Sequence, residues 1–582
     1  MMDSVKLLPL ILFAILPVLL VRAKILAIAP DASPFWPMTY HGDANSWWKA
    51  VMVCGLALWM AAHATIRFAG GWRPRFPFFA LLLLCAALST LASVCLSAYP
   101  RTAWLGYTTL YEGALVLLGY LAAIWYAAEM TDTDRERLLV TRVVGMTGLV
   151  NAIHGILEGC GWNFWRTRFG SWLMGVDEGR LTFTFADTNM AYGTQFQPNH
   201  YGMFMAMMCM LALGMLWREK SRIWRCLWAL TFVCGLAAVV FSNSRTAIGV
   251  CAVVTAGAAV VCLYRRPGRH DGRQIDTAAL RRTAGVVTAT AACIVAVFAC
   301  LGKLDTLGEA AGVLAGRIGK TFSPREKEAL ESVELSANTI VIHLADRSLA
   351  LEKRTASRWN ARRLDTGDRD EFFLREKGGH WSGAEIPGAA GTALHARADG
   401  NLVLTAPGIR LRFFQLGNEL FAVDHKGLLH DTLPDSPKVN LGRLERLLGG
   451  RGYTWSRALA VVPQHLLFGS GPGTFAMAFP QYDLVGKQRY LENLDEDKGH
   501  GVWITFLVQL GIAGFVLYCL PIAYVSYTVT QRFHGLAPSL AMGMAAFMLG
   551  SITNDSTIGV TAAFCLLAGL ALSQTGETVQ AG

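Results

Sequence analysis

The sequence predicts an all-α polytopic membrane protein of about 12 transmembrane helices, with a small antiparallel β module inserted in one large loop between them. Three observations carry this. The 582 residues are 53% hydrophobic and only 16% charged, whereas soluble chains carry about 25% charge, and mean hydropathy is +0.37. Apolar runs of roughly 20 residues, the number a helix needs to cross the hydrocarbon core, recur along the chain. Between about 331 and 435 the helical pattern gives way to short strand-like runs separated by turn dipeptides.

Predicted spans fall near residues 5–22, 47–66, 77–97, 113–128, 138–157, 199–217, 225–241, 246–264, 284–302, 501–527, 537–553 and 557–573. The first run has the weak basic start and small following residues of a signal peptide. Arg22 and Lys24 just beyond it favour a retained span with interfacial contacts. Basic residues concentrate in alternate loops: Arg67, Arg73 and Arg75; Arg135, Arg137 and Arg142; Arg218, Lys220, Arg222 and Arg225; then "RRPGRHDGR" with Arg281 and Arg282. The bias of such loops toward the cytoplasm predicts both termini cytoplasmic and the segment at about 304–499 extracytoplasmic. The net charge of +10 is therefore a topology signal and not a nucleic-acid footprint. Nearly all 13 cysteines sit in or at the ends of apolar spans, and no disulfide framework or zinc spacing is present.

The resulting organisation is spans one to nine in 1–303, a connecting segment at 304–330, the β insertion at 331–435, a membrane-face helical segment at 436–500, and the last three spans and tail in 501–582. Within the insertion, "SVELSANTIVIHL", "TALHARA", "NLVLTA", "IRLRFFQL" and "ELFAVD" read as strands. Asp399-Gly400, Pro407-Gly408 and Gly417-Asn418 separate the last four. The charged stretch "RTASRWNARRLDTGDRDEFFLREK" reads either as a grip on an anionic polymer or as a solvated face with local ion pairs. Further on, an amphipathic helix from about Arg451 to Val462 precedes "GSGPG", whose glycines permit close backbone approach to a ligand.

Few polar residues fall at the predicted outer face. Arg245 in "FSNSRTAIGV" has no acidic neighbour in sequence, and an arginine at membrane depth is either a functional group or a snorkelling anchor. Arg451 and Arg457 flank "GYTWS"; six residues apart, they leave one helix face but still fit the border of one pocket. A guanidinium matches phosphate oxygens. His500, in "DEDKGHGVWITFLVQLGIAGF", has the chemistry of a proton acceptor or of a satisfied polar residue, with Asp495, Glu496, Asp497 and Lys498 beside it. Asn199 and His200 open one span in "FQPNHYGMFM", and Glu112 opens another, where a carboxylate is favoured for structural reasons alone. Asn554 and Asp555 read as helix-capping residues.

Taken in order, "GYTTLYEG", "FQPNHYGMFMAM", "FSNSRTAIGV", "RGYTWSRALAVVPQHLLFGSGPGTFAMAFPQYD" and "DKGHGVWITFLVQLGIAGF" resemble the O-antigen ligase/polymerase family of bacterial membrane glycosyltransferases. The resemblance covers roughly 105–265 and 447–575. It implies a GT-C-like helical fold in the bacterial cytoplasmic (inner) membrane, a polyprenyl-diphosphate-linked glycan donor, and a glycan, lipid or protein acceptor. It also implies no cofactor and no metal, with Arg245, Arg451 and Arg457 holding the diphosphate and His500 acting as the base. Asn199 and Glu112 fall in the matching substrate-facing stretches. Two departures stand out: Gly501 follows His500 where the family carries asparagine, and the β insertion is absent from many relatives. The competing reading is a transporter or flippase of lipid-linked sugars, which calls for mid-span charges and repeated, broken helices. A receptor built on the β module is a third, and it leaves the outer-face arginines without a role.

Overall fold

The computed structural model describes residues 6–576, apart from 36–38, 178–188, nearly all of 265–329, 484, 488–495, 533 and short breaks between 345 and 449. Among the described residues the chain is mostly helical. Six helices are long and apolar enough to cross a membrane: α2 (Trp47–Ala69), α3 (Pro77–Leu96), α5 (Asp134–Gly159), α6 (Pro198–Arg218), α7 (Arg222–Phe241) and α10 (Val502–Gln531). Shorter apolar helices accompany them: α1 (Leu8–Leu19), α4 (Ala114–Met130), α8 (Arg245–Tyr264), α11 (Ala537–Gly550) and α12 (Ile558–Ser573). The span expected at 284–302, the basic loop at 265–282 and the segment at 304–329 lie outside the described residues, scattered positions apart.

Helix α6 is the centre of the bundle. Its apolar window is 89% buried, and it packs against α7, α8 and α11. Small residues let the helices close up, as packing in lipid requires. Gly145 of α5 receives the Trp228 ring of α7, where an added Cβ would stand 2.2 Å from the indole. Gly155 likewise receives the Tyr201 ring of α6.

One end of the bundle is an ionic seam. Lys6 pairs with Asp132 at 2.6 Å and Glu136 at 2.7 Å, and the Arg75 amide donates to Glu129. Arg142 pairs with Glu219 at 2.8 Å, and the Arg137 guanidinium, fully buried, donates to Ser573. These contacts gather the loops after α2, α4 and α6, and the end of α12, at the same end. The three basic loops that are described therefore lie at one end of the bundle. Glu136 and Thr133 form a reciprocal cap at the start of α5 there.

Helix α10 breaks. Gly511 has φ +67° and ψ −173°, so the carbonyls before it lose their helical partners. The "GSGPG" turn supplies replacements: the Ser470 and Gly471 amides donate to the carbonyls of Val508 and Gln509 at 2.9 Å each. In return, Ile512 and Ala513 donate to Leu466 and Leu467. Gly469, Gly471 and Gly473 all have positive φ. A Cβ on Gly469 would fall 2.2 Å from the Gln509 carbonyl. Gly469 packs against the α10 backbone, Gly471 against the Ser97 side chain and Gly473 against the backbone at Gly106.

The β insertion holds two antiparallel meanders. Five strands run in order from β3 (Leu330–Ser336) through β4 (Thr339–Leu344), β5 (Ser348–Lys353) and β6 (Arg358–Arg363) to β7 (Arg369–Phe373), numbered after a small hairpin of β1 (Lys24–Ala27) and β2 (Tyr40–Asp43). The second sheet runs between Ala384 and His430 with six strands, including Asn401–Ala406 and Ile409–Leu416. Alternate residues point inward. Ile340, Ile342, Leu349, Leu351 and Trp359 share one core with Leu394, Leu404 and Phe413 of the second sheet. Gly417 makes a left-handed turn at φ +61°, while the Asp399-Gly400 and Pro407-Gly408 turns lie outside the described residues. The charged stretch pairs locally, Arg358 with Glu371 and Arg363 with Asp365.

Candidate functional site

At the end of the bundle away from the ionic seam lies a cavity of about 780 Å³, built largely from the starts of helices. The segment before α2 supplies His41 and Asp43, and α2 itself Lys49; Glu112 precedes α4; Asn199 and His200 open α6. Asn243 and Arg245 open α8, Arg451 opens α9 (Arg451–Val461), Asp497, Lys498 and His500 precede α10, and Asn554 and Asp555 precede α12. Four non-glycine residues held at positive φ, Thr109, Phe196, Asn243 and His500, line this cavity. Backbone strain of this kind gathers at functional sites.

The structure thus brings together His500, Arg245, Arg451, Asn199 and Glu112, five of the six residues singled out from sequence. Arg457 is placed elsewhere. Six helical residues amount to about 240° of rotation, so it faces away from Arg451. It is buried, with Nε 3.1 Å from Asp483, Nη1 3.1 Å from Glu445, and its guanidinium over the Tyr453 ring.

His500 sits between two carboxylates. Its Nδ1 is 3.2 Å from Asp555 Oδ2, and its Nε2 is 3.3 Å from Glu496 Oε2. Each carboxylate is itself fixed. The Gly501 amide donates to Asp555 Oδ1, and the Thr454 hydroxyl of α9 donates to Glu496. The Trp455 indole N–H donates to the Gly499 carbonyl at 3.0 Å and its ring meets Trp503 edge-on, which ties the histidine loop to α9. Burial works against charge on His500, but Glu496 and Asp555 outweigh it and push its pKa up to about 10. Burial also opposes charge on Asp555, yet the hydrogen bond from His500 and the nearby cations hold it well below the usual carboxylate range. Asp495, beside His500 in sequence, lies outside the described residues.

Arg451 donates to Asn554 Oδ1 at 3.2 Å, so Asn554 orients a cation instead of capping α12, whose N-cap is Thr557. Glu112 accepts from the hydroxyls of Tyr120 and Ser556, and burial raises its pKa despite those bonds. Two lysines complete the cationic lining. Lys49 is 1% exposed and donates to Asn45 Oδ1 and the Thr194 carbonyl at 2.7 and 2.6 Å. Lys498, also buried, makes no hydrogen bond or ion pair among the described residues. Sequence reasoning passed over Lys49, though a lysine in the first turn of an apolar run, "ANSWWKAVMV", is itself a signal. Chemically, the arrangement suits an anion with several oxygens beside a group able to exchange protons.

Compared with known proteins, the chain matches none of the protein-family models and none of the curated sequences.

Proposed function

We propose that the protein is a membrane glycosyltransferase that moves or polymerises a glycan from a polyprenyl-diphosphate donor onto an acceptor hydroxyl, as an O-antigen ligase or polymerase does. The observation that carries this reading is the convergence of Arg245, Arg451, Lys498 and His500 on one cavity at the end of the bundle opposite the basic loops. In this reading the finer architecture is GT-C-like, about 12 spans with both termini cytoplasmic, and the cavity opens on the outer face of the bacterial cytoplasmic membrane. The guanidinium groups and Lys498 bind the diphosphate and stabilise the charge it gains on leaving, an electrostatic role that is often the largest in catalysis. Asn199 and Glu112 line the same space and contact the sugar or the acceptor. The partners are the lipid-linked glycan donor, a glycan, lipid or protein acceptor, and membrane lipids.

The test is transfer itself. Membranes holding the protein and a polyprenyl-diphosphate-linked oligosaccharide should yield lengthened or transferred glycan, and both Arg245→Ala and His500→Ala should reduce it by at least tenfold. Unchanged product in both variants would exclude the assignment.

A further inference from the structure

We propose that the Asp497 carboxylate, and not the His500 imidazole, takes the proton from the acceptor hydroxyl, while His500 serves as a fixed cation clamped between Asp555 and Glu496. This rests on the glycosyl-transfer reading above and assigns the proton within it.

The first support is donor and acceptor arithmetic. A neutral imidazole offers one N–H and one lone pair, whereas ionised carboxylates only accept. Carboxylate oxygens stand 3.2 Å from Nδ1 and 3.3 Å from Nε2 of His500. Both ring nitrogens therefore carry hydrogen, and no lone pair remains for an incoming proton. The raised pKa agrees, leaving the ring charged at neutral pH.

The second support comes from the carboxylates that line the cavity. Asp43 accepts the amides of Ser46 and Trp47 and so holds the start of α2. Glu112 accepts two hydroxyls. Asp555 is engaged by His500 and Gly501, and its depressed pKa makes it a poor base. Asp497 differs. Half-buried in the cavity wall, it accepts no hydrogen bond among the described residues. Lys498, His500, Glu496 and Asp555 face it, with His200, Arg245 and Arg451 on the adjoining helices. Burial raises its pKa most; Lys498 and His500 oppose this, and Asp555 and Glu496 add to it. A carboxylate with no hydrogen-bond donor among the described residues, its pKa raised by burial, keeps its lone pairs open for an incoming proton.

The step balances without another reactant. The acceptor oxygen forms a bond to the anomeric carbon as its proton passes to Asp497. The bond from that carbon to the phosphate oxygen breaks, and its electron pair leaves with the diphosphate toward Arg245, Arg451 and Lys498.

The test uses the full-length protein in lipid nanodiscs with an undecaprenyl-diphosphate-linked oligosaccharide as donor. Asp497→Asn should lower kcat by about 10²–10⁴-fold with donor KM unchanged, and Asp497→Glu should recover part of the loss. Nitrogen NMR of labelled histidine should show both His500 ring nitrogens protonated at about pH 7.5, the signals being identified by their loss in His500→Gln. Full transfer by Asp497→Asn, or a neutral His500 ring, overturns the assignment and leaves glycosyl transfer standing. A wild-type protein that neither binds nor turns over the donor removes the underlying reading, and this assignment with it.

Discussion

Asp555 reaches across from the turn before α12 to place Oδ2 3.2 Å from His500 Nδ1, 55 residues earlier in the chain, while its other oxygen accepts the Gly501 amide. One carboxylate thereby fixes both the charge and the orientation of the histidine. In Asp555→Asn the ring loses an anionic partner, so its titration midpoint should fall by about 1–3 pH units. Ring-proton NMR in micelles measures this directly; an unmoved midpoint would show that Glu496 alone sets the charge.

The same pair links stability to pH. The pKa of His500 in the folded protein, about 10, lies above its ordinary value of 6.5. Its contribution is therefore fully present below about 6.5 and is lost as pH rises through about 10. Thermal unfolding followed from pH 7 to pH 10 should show a decline in Tm that is smaller in His500→Gln. Equal slopes would mean that the ion pairs do not stabilise the fold.

The joint between "GSGPG" and the break in α10 should tolerate no side chain. Gly469→Ala places a Cβ 2.2 Å from the Gln509 carbonyl, and Gly511→Ala places one 2.4 Å from the Leu467 backbone, both at positive φ. Each substitution should cost about 1–3 kcal/mol or more, read as a lowered Tm in detergent. Gly55, with open space around its Cβ position, is the control.

Arginines at different places should fail differently. Arg245→Lys keeps charge but gives up planar two-point bonding, so donor KM should rise by about 10–100-fold with the fold intact. Arg457→Ala leaves Asp483 and Glu445 facing an empty site, which should destabilise the protein by about 3–5 kcal/mol. The milder Arg457→Lys should leave donor KM unchanged. A shared KM defect would return Arg457 to the donor site.

Local pattern and tertiary closure divide what the sequence reveals. The runs "NLVLTA" and "IRLRFFQL" are strands with the bounds their alternation suggests, because sheet pairing obeys period and turn chemistry. The start of the helix at Arg451 is equally local, set off by Gly450 in a left-handed conformation. His500, Arg245 and Arg451 were legible as polar groups beside apolar spans. Glu496 was visible beside His500 in the chain, and a left-handed backbone at φ +51° brings the two together; Asp555 joins them only through helix packing, which sequence proximity does not disclose. Arg457 went astray for the reverse reason. Its partners, Glu445 and Asp483, are 12 and 26 residues away, beyond what proximity in sequence discloses.

The cavity's construction from helix beginnings has an electrostatic result that no single residue owns. The backbone dipoles of α2, α4, α6, α8, α10 and α12 all present their positive poles to it, each worth about half an elementary charge. This field is fixed in the main chain, so removing one arginine weakens anion capture without abolishing it. Added salt should screen the attraction across the cavity mouth most strongly, where water reaches the charges.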